Sequence, residues 1–287
     1  MKVIVIGANG QLGSEMVEQF SLAGHHVVSV NHRDLEISDK RSVSYTLGSL
    51  DFDTVGNTAG VHNRPCEENP IEAFKVNSLG AKNVAEEALR HDALMIHIST
   101  DLVYDGKADH PYAETDREVP VTIYGNTKLN GDHFVINSGA KHQVLRTSVL
   151  FGKNPTRGKA GGLNFVQLML KLAKEDKDVK VVNDKFTSPT SAISLAKQAV
   201  ALSTTEHYGI FHSVGTGGCS WYDLAAEVFA QTGTKAKLSV DDPNADPVVR
   251  PKNLILDTAK LTSLGLNVFL PWKDELRQYL RSTNELL

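Results

Sequence analysis

Tyr124 and Lys128 lie four positions apart in a stretch of helical pattern that opens near Val121, and Thr100 follows the apolar run Leu94-Met95-Ile96-His97-Ile98. Four residues apart on a helix, a phenol and an amine face the same way, with Cβ atoms about 5–6 Å apart. An ammonium beside a phenol favours the phenolate and brings a group of reference pKa about 10 closer to working pH, so Tyr124 is a candidate general acid or base. Ser99-Thr100-Asp101 ends a strand-like run, and the C-terminal ends of buried strands are where open α/β sheets place their chemistry. The Tyr-x-x-x-Lys pair is weak by itself, because a chain with seven tyrosines supplies such a match readily by chance.

The pair needs a scaffold and a co-reactant, and the first thirteen residues point to both. Val3-Ile4-Val5-Ile6 runs into Gly7-Ala8-Asn9-Gly10-Gln11-Leu12-Gly13, which reads as a buried strand, a tight turn and the first turn of a helix. A pyrophosphate needs backbone N–H groups at close range and a helix N-terminus behind them, and glycine lets the backbone approach that near. The spacing is G-x-x-G-x-x-G, not the commoner G-x-G-x-x-G, and its position between a strand and an amphipathic stretch lifts it above an ordinary glycine-rich turn. The second strand, His26 to Val30, ends in Asn31-His32-Arg33. An acid at that end would meet a ribose 2′-hydroxyl and an arginine a 2′-phosphate, so Arg33 favours NADPH, with NADH as the alternative; the other reading of Arg33 is a solvated loop residue paired with Asp34.

The rest of the chain continues the alternation. Thr54 to Asn57 is a third strand, followed by the small residues Thr58-Ala59-Gly60, which let a dinucleotide cross the sheet edge. A long helix is expected from Pro70 to Arg90, with Asn77 on its core-facing side. His142 to Arg146 is a further strand, and a Gly/Lys-rich loop from Lys153 to Gly162 marks a change of rhythm. The expected fold is therefore α/β: a Rossmann-type doubly wound parallel sheet formed by residues 1–152 with about 187–205, and a smaller substrate-binding lobe formed by about 153–186 and 206–287. A formal net charge of -4 without any basic cluster gives no case for nucleic acid. No apolar run approaches the roughly 20 residues of a membrane span, and Met1 leads directly into the first strand, so a cytoplasmic protein is expected. The two cysteines, Cys66 and Cys219, have no metal-type spacing and read as reduced and structural.

An ordered series of segments resembles the dTDP-4-dehydrorhamnose reductase family of extended short-chain reductases along essentially the whole chain. The series comprises GANGQLG, ISTDLVYDG from Ile98, YGNTKLNGD from Tyr124, LRTSVLFG from Leu145, LNFV from Leu163, VVNDKFTSPTSA from Val181, HSVGTGGCSWYDLA from His212 and RPKNLILD from Arg250. The resemblance implies reduction of the C4 ketone of a nucleotide-activated 6-deoxy sugar, dTDP-4-dehydro-L-rhamnose to dTDP-L-rhamnose, for polysaccharide precursors. It implies that Tyr124 gives a proton to the C4 oxygen while a nicotinamide delivers hydride, that Lys128 also holds the nicotinamide ribose, and that Thr100 hydrogen-bonds the same carbonyl. It places Gly7, Gly10, Gln11, Leu12, Gly13, Arg33, Glu36, Ile37, Ala59, Gly60 and Val61 at the cofactor, and His62, Asp101, Val149 and Asn164 beside the sugar. Asn77 is either a satisfied buried amide or the anchor of a water relay behind Lys128. Val149 stands where the family shows a tryptophan, which leaves the reductase chemistry intact and opens the choice of sugar. Glu275 and Glu285 match no metal motif, so no metal is implied, and a homodimer is left open. Two other classes share these features: a nucleotide-sugar epimerase or dehydratase, which returns its cofactor, and a non-catalytic dinucleotide-binding regulatory subunit, which the presence of Thr100, Tyr124 and Lys128 disfavours.

If Arg33 meets a 2′-phosphate, Arg33→Ala weakens NADPH binding about tenfold or more while NADH is nearly unaffected, because a charge-assisted contact is lost for one cofactor alone. Titration of both cofactors by fluorescence measures this, and equal weakening would make Arg33 an ordinary loop residue.

Overall fold

Val3-Ile4-Val5-Ile6 is apolar at every position because its strand is covered on both faces. Val3 and Val5 pack with Leu12, Met16, Phe20, Leu145, Leu195 and Phe211. Ile4 and Ile6 point the other way, onto Val43, Leu47, Val84, Met95 and Val144. Such two-sided burial is the mark of a parallel sheet with helices on both sides. The structure, a computed structural model, describes residues 1–156, 160–243 and 249–286; residues 157–159 of the loop expected from Lys153 to Gly162 lie outside them.

Six strands make the sheet: β1 (Lys2–Ile6), β2 (His26–Val30), β3 (Thr54–Asn57), β4 (Leu94–Thr100), β5 (His142–Thr147) and β6 (Gly209–His212). Their spatial order is β6-β5-β4-β3-β1-β2, and every neighbouring pair is parallel. The order reverses between β1 and β3, so a crevice opens outside their C-terminal ends. Register carries the site residues to that edge: Ile6 is level with Asn57, Asn57 with His97, and Thr100 with Thr147. The doubly wound α/β sheet is thus the one expected from the sequence, with one correction. Gly209–His212, assigned in the sequence to the second lobe with the rest of 206–287, is the sixth strand of the main sheet. The helix Ala192–Ser203 before it is buried along Leu195, Ala196, Ala199 and Leu202, and so acts as the crossover that returns the chain to β5.

Pro70 to Arg90 forms helix throughout, but not uniformly. An α-turn segment Pro70–Phe74 passes into a π-helical stretch Lys75–Gly80 and then into Ala81–Arg90. Asn69 caps the start through the Glu72 N–H. The wide stretch holds Asn77 and Ser78 buried against the helix Ile123–Ile136: Ser78 Oγ donates to the Thr127 carbonyl at 2.7 Å. Inserted π turns of this kind are often found beside functional sites.

Outside the sheet, Val166, Met169, Leu170, Val179, Leu224, Val228, Trp272, Leu276 and Leu280 form a separate core with Phe151. Trp221 and Trp272 each begin a helix, and Trp272 is buried. Both cysteines are free and buried, and burial pushes their thiols up to about 11 at Cys66 and about 12 at Cys219. No helix among the described residues is long and apolar enough to cross a membrane.

The helix carrying Tyr124 starts against the turn that follows β4, and the approach is set by Gly125. A Cβ at this position would lie 2.1 Å from the Leu102 carbonyl oxygen. Gly125→Ala therefore lowers unfolding free energy by ~1–3 kcal/mol as an overpacked contact, where an ordinary helical Gly→Ala change would raise it. Urea denaturation decides between them, and a stabilised variant would show that the two backbones are free to separate.

Candidate active site

The glycine turn offers a cradle for an anion. Gly7 has φ +79°, and a Cβ on Gly13 would lie 2.1 Å from the Gly7 carbonyl oxygen. Only side-chain-free residues close this turn. Gly7 and Ala8 N–H both donate to the Val30 carbonyl, and Gly10 N–H to Gly7, which ties the turn to β1 and β2. The helix Gln11–Leu22 then begins at Gly10 with no side-chain cap. Its first-turn amides, at Gln11, Leu12 and Gly13, are thus left for a bound group, and the helix dipole favours negative charge there. A dinucleotide pyrophosphate fits this donor set.

At the far end of the crevice, Arg33 is exposed in the turn after β2 and makes no ion pair among the described residues. Asp34, its alternative partner, accepts instead from the Asn31 N–H at 2.9 Å. Glu36 is held locally: one carboxylate oxygen accepts from both the N–H and the hydroxyl of Ser38, and the other lies 3.5 Å from His32. The Ile37 side chain is buried in the core, and its carbonyl accepts from Asn83 Nδ2. Ala59, Gly60 and Val61 form the loop after β3. Asn77 clamps that loop, with Oδ1 accepting from Val61 N–H at 2.8 Å and Nδ2 donating to Val61 O at 3.1 Å and to Thr127 Oγ1 at 3.0 Å. Of the two readings of Asn77, the satisfied buried amide describes these contacts. His62 follows as the N-cap of the short helix Asn63–Glu68, half-buried.

Thr100, Tyr124 and Lys128 converge. Thr122 caps the helix Ile123–Ile136 by accepting from Gly125 N–H at 2.9 Å, which starts the helix one turn before Lys128. Tyr124 is half-buried. Burial pushes its phenol well above the ordinary value, the Cys66 thiol and Asp101 carboxyl reinforce the rise, and the Thr100 hydroxyl beside it pulls the other way. The direction is opposite to the one a neighbouring ammonium alone would give. Lys128 Nζ donates to the Ile98 carbonyl at 2.6 Å and lies 3.4 Å from His97 Nε2. Burial also lowers the Lys128 ammonium to about 8, against the pull of Asp132.

Asp101 is buried as well, and burial raises its carboxyl to about 6 against hydrogen bonds from Ser148 and Thr100. Thr100 Oγ1 donates to one carboxylate oxygen at 3.0 Å, and Ser148 Oγ donates to the other and lies 2.6 Å from Thr187 Oγ1. Asn164, expected at the sugar, is fully buried: its Oδ1 caps the helix Phe165–Lys174 and its Nδ2 donates to the Gly152 carbonyl at 2.8 Å. Glu275 is likewise spent inside, accepting from Ser194 Oγ and Leu270 N–H, while Glu285 pairs with Lys174.

Several polar residues at the site escaped sequence reasoning. His97, Asp132 and Arg146 form a buried group behind Lys128, and Ser148 and Thr187 extend the hydroxyls around Asp101. A signal existed for two of them. His97 interrupts an otherwise apolar strand, and Asp132 is one helical turn beyond Lys128.

A parallel doubly wound sheet with an uncapped glycine turn and a Thr, Tyr and Lys at its C-terminal edge defines a dinucleotide-binding enzyme of the short-chain reductase class. Comparison with known proteins narrows this. RmlD substrate binding domain matches residues 1–285, and the chain belongs to this family, that of the dTDP-4-dehydrorhamnose reductases. It is 35% identical to the spore coat polysaccharide biosynthesis protein SpsK of Bacillus subtilis over 98% of this chain and 97% of that protein. It is 33% identical to dTDP-4-dehydrorhamnose reductase of Escherichia coli over 100% and 98%. The solved dTDP-4-dehydrorhamnose reductase of Bacillus anthracis in complex with NADP superposes with a TM-score of 0.92 at 29% identity, covering 98% of this chain and 99% of that one.

Val149 follows Ser148 directly and carries a φ of +21°, an unusual value for a β-branched residue. Val149, Phe165 and Trp221 lie half-buried against the same core, and the two rings meet edge to face at 4.8 Å. Aromatic rings are therefore already packed on the core that Val149 joins. Val149→Trp adds a ring to an occupied wall, and at the ~1–3 kcal/mol of an overpacked contact it raises KM for the preferred sugar about fivefold or more, with kcat less affected. Steady-state kinetics over several sugars checks this, and unchanged kcat/KM for all of them would remove Val149 from the sugar site.

Proposed function

We propose that the protein is an NADPH-dependent reductase of the C4 ketone of a dTDP-activated 4-keto-6-deoxy sugar, with dTDP-4-dehydro-L-rhamnose as its substrate and dTDP-L-rhamnose as product. The observation that carries this reading is the convergence of Thr100, Tyr124 and Lys128 at the sheet edge beside the uncapped glycine turn. Bound at that turn, NADPH supplies the hydride for the C4 carbon. The amides of Gln11, Leu12 and Gly13 would hold its pyrophosphate, Arg33 its 2′-phosphate, and the Ala59-Gly60-Val61 loop its path over β3.

The chain's own residues then supply the proton and the orientation. Tyr124, held protonated by burial, is suited to act as an acid: its O–H donates to the C4 oxygen as negative charge develops there, and the proton passes to that oxygen. Thr100 donates a second hydrogen bond to the same oxygen, giving up its present bond to Asp101. Lys128 contributes positive charge below the phenol, which stabilises the phenolate left behind. Substrate would lie between this edge and the second lobe, with His62 and Val149 on its sugar side.

Reduction consumes cofactor in step with product, whereas an epimerase or dehydratase returns it. Purified protein is therefore assayed with NADPH and NADH against a small panel of 4-keto-6-deoxy nucleotide sugars, with products identified. Tyr124→Phe is expected to lose about 10²- to 10⁴-fold in kcat, the usual range for a general acid, with NADPH affinity close to wild type. Wild-type turnover in this variant would remove Tyr124 from the mechanism, and product formation without net NADPH oxidation would refute the reductase reading.

A further inference from the structure

Behind Lys128 the structure holds a charge arrangement that the reduction itself does not require. His97, Asp132 and Arg146 are each 1% exposed or less. Asp132 lies one turn beyond Lys128 on the same helix. Its Oδ2 accepts from Ser99 Oγ at 2.9 Å and from Arg146 Nε at 3.3 Å. Its Oδ1 is buried without a hydrogen-bond partner, and the nearest cationic or ring nitrogen is His97 Nε2 at 3.6 Å. That same Nε2 is 3.4 Å from Lys128 Nζ. The imidazole thus stands between a carboxylate and an ammonium.

The protonation of the ring follows from its other side. Asn57 Oδ1 accepts from Ala59 N–H at 3.1 Å, which fixes the amide orientation and turns Asn57 Nδ2 toward His97 Nδ1 at 3.4 Å. Nδ1 is then the acceptor and Nε2 carries the hydrogen. Burial and the Lys128 charge hold the ring neutral, well below its usual range. With Lys128 offering only donors, the Nε2–H has one acceptor available, the orphaned Oδ1 of Asp132.

We propose that Asp132 and His97 are positioning residues for Lys128. Asp132 is the buried counterion that keeps the ammonium charged. His97 is a neutral spacer whose Nε2 faces the carboxylate at 3.6 Å and stands between it and the ammonium. A direct Asp132–Lys128 pair would occupy a further ammonium hydrogen besides the one given to the Ile98 carbonyl; the spacer leaves the remaining ones for the phenol and the cofactor. This rests on the reductase reading of the site.

The groups around Lys128 are Asp132 and, four residues before it, Tyr124 from its own helix, the His97 ring and Ile98 carbonyl from β4, and Cys66 from the helix Asn63–Glu68, with Arg146 of β5 behind Asp132. Burial lowers the ammonium to about 8 and Asp132 opposes that fall. Burial raises the Asp132 carboxyl, and Arg146 and Lys128 oppose that rise. A cation whose pKa is lowered is present below that value and lost above it, so kcat/KM falls as pH rises through about 8. Removing the counterion moves the fall to lower pH.

The test is the pH dependence of kcat/KM and of the NADPH dissociation constant in wild type, Asp132→Asn, His97→Phe and His97→Gln. Asp132→Asn shifts the falling limb down by about one pH unit or more, the range for loss of a nearby opposite charge, and weakens NADPH about tenfold at pH 9 relative to pH 6 when compared with wild type. His97→Phe shifts the limb in the same direction, since Asp132 Oδ1 loses the polar N–H that faces it. His97→Gln, whose amide accepts from Asn57 and donates to Asp132, restores most of that shift. The two His97 variants decide the matter even if Asp132→Asn does not fold. Superimposable limbs in wild type and His97→Phe would overturn the proposal, as would His97→Gln and His97→Phe being shifted equally, because the ring would then have to titrate. A wild-type protein that reduces no sugar in the panel would instead refute the function on which the proposal rests.

Discussion

The guanidinium of Arg146 is the largest side chain in the structure that is fully buried, and a permanent charge in that position dictates much of what surrounds it. Leaving it unpaired would cost several kcal/mol, so acceptors must come from every direction. Asp132 on the Tyr-Lys helix, Glu118 in the segment before that helix and the Tyr104 hydroxyl after β4 meet it at 3.3, 2.8 and 2.9 Å. Tyr104 in turn stacks on Tyr112 and meets His212 Nε2 at 2.9 Å. One side chain on β5 therefore ties together the catalytic helix, the long segment that leads into it and the sixth strand.

That constraint reaches the chemistry through charge balance. Arg146 requires Asp132, and Asp132 then lies one turn from Lys128 as an anion already committed to the fold. The lysine gains a counterion without a dedicated contact. The same burial that makes the pairing necessary keeps Tyr124 protonated and lowers Lys128. The site is thereby poised to give a proton, which is the direction a ketone reduction needs, before either substrate is bound.

How much of this the sequence discloses depends on whether the interaction is local. The glycine turn, the strand-end Thr100 and the Tyr124–Lys128 spacing are short-range patterns, and they are readable. The parallel sheet is readable too, since both-sided burial leaves uninterrupted apolar runs such as Val3–Ile6. The Arg146–Asp132–His97 group is not, because it joins β5, a helix and β4 across more than thirty residues, and each member reads singly as a polar interruption. Gly209–His212 was misassigned for a similar reason: nothing in four residues tells which sheet they will join. Spacing shows the amine near Tyr124 and does not show the burial that raises the phenol. Asn164 has the composition of a ligand contact, yet its capping box uses the carboxamide inside the fold.

The two ends of the crevice are built by different means, and this bears on what can vary. Around the reacting bond, position is set by backbone against backbone: Gly13 on the Gly7 carbonyl and Gly125 on the Leu102 carbonyl leave no room for a Cβ. Displacing either contact would move Thr100 or Tyr124 relative to the cofactor turn, so these distances are not adjustable by ordinary substitution. At Val149, which the proposed reading puts on the sugar side, the neighbours are side chains, with Phe165 and Trp221 packed half-buried on the same core. Side chains there can be exchanged at the cost of a local repacking without shifting any backbone that holds the chemistry. A small residue at Val149 is therefore compatible with an intact reductase centre, and the choice of sugar can change in this fold while the proton donor, its neighbouring ammonium and the dinucleotide turn stay where they are.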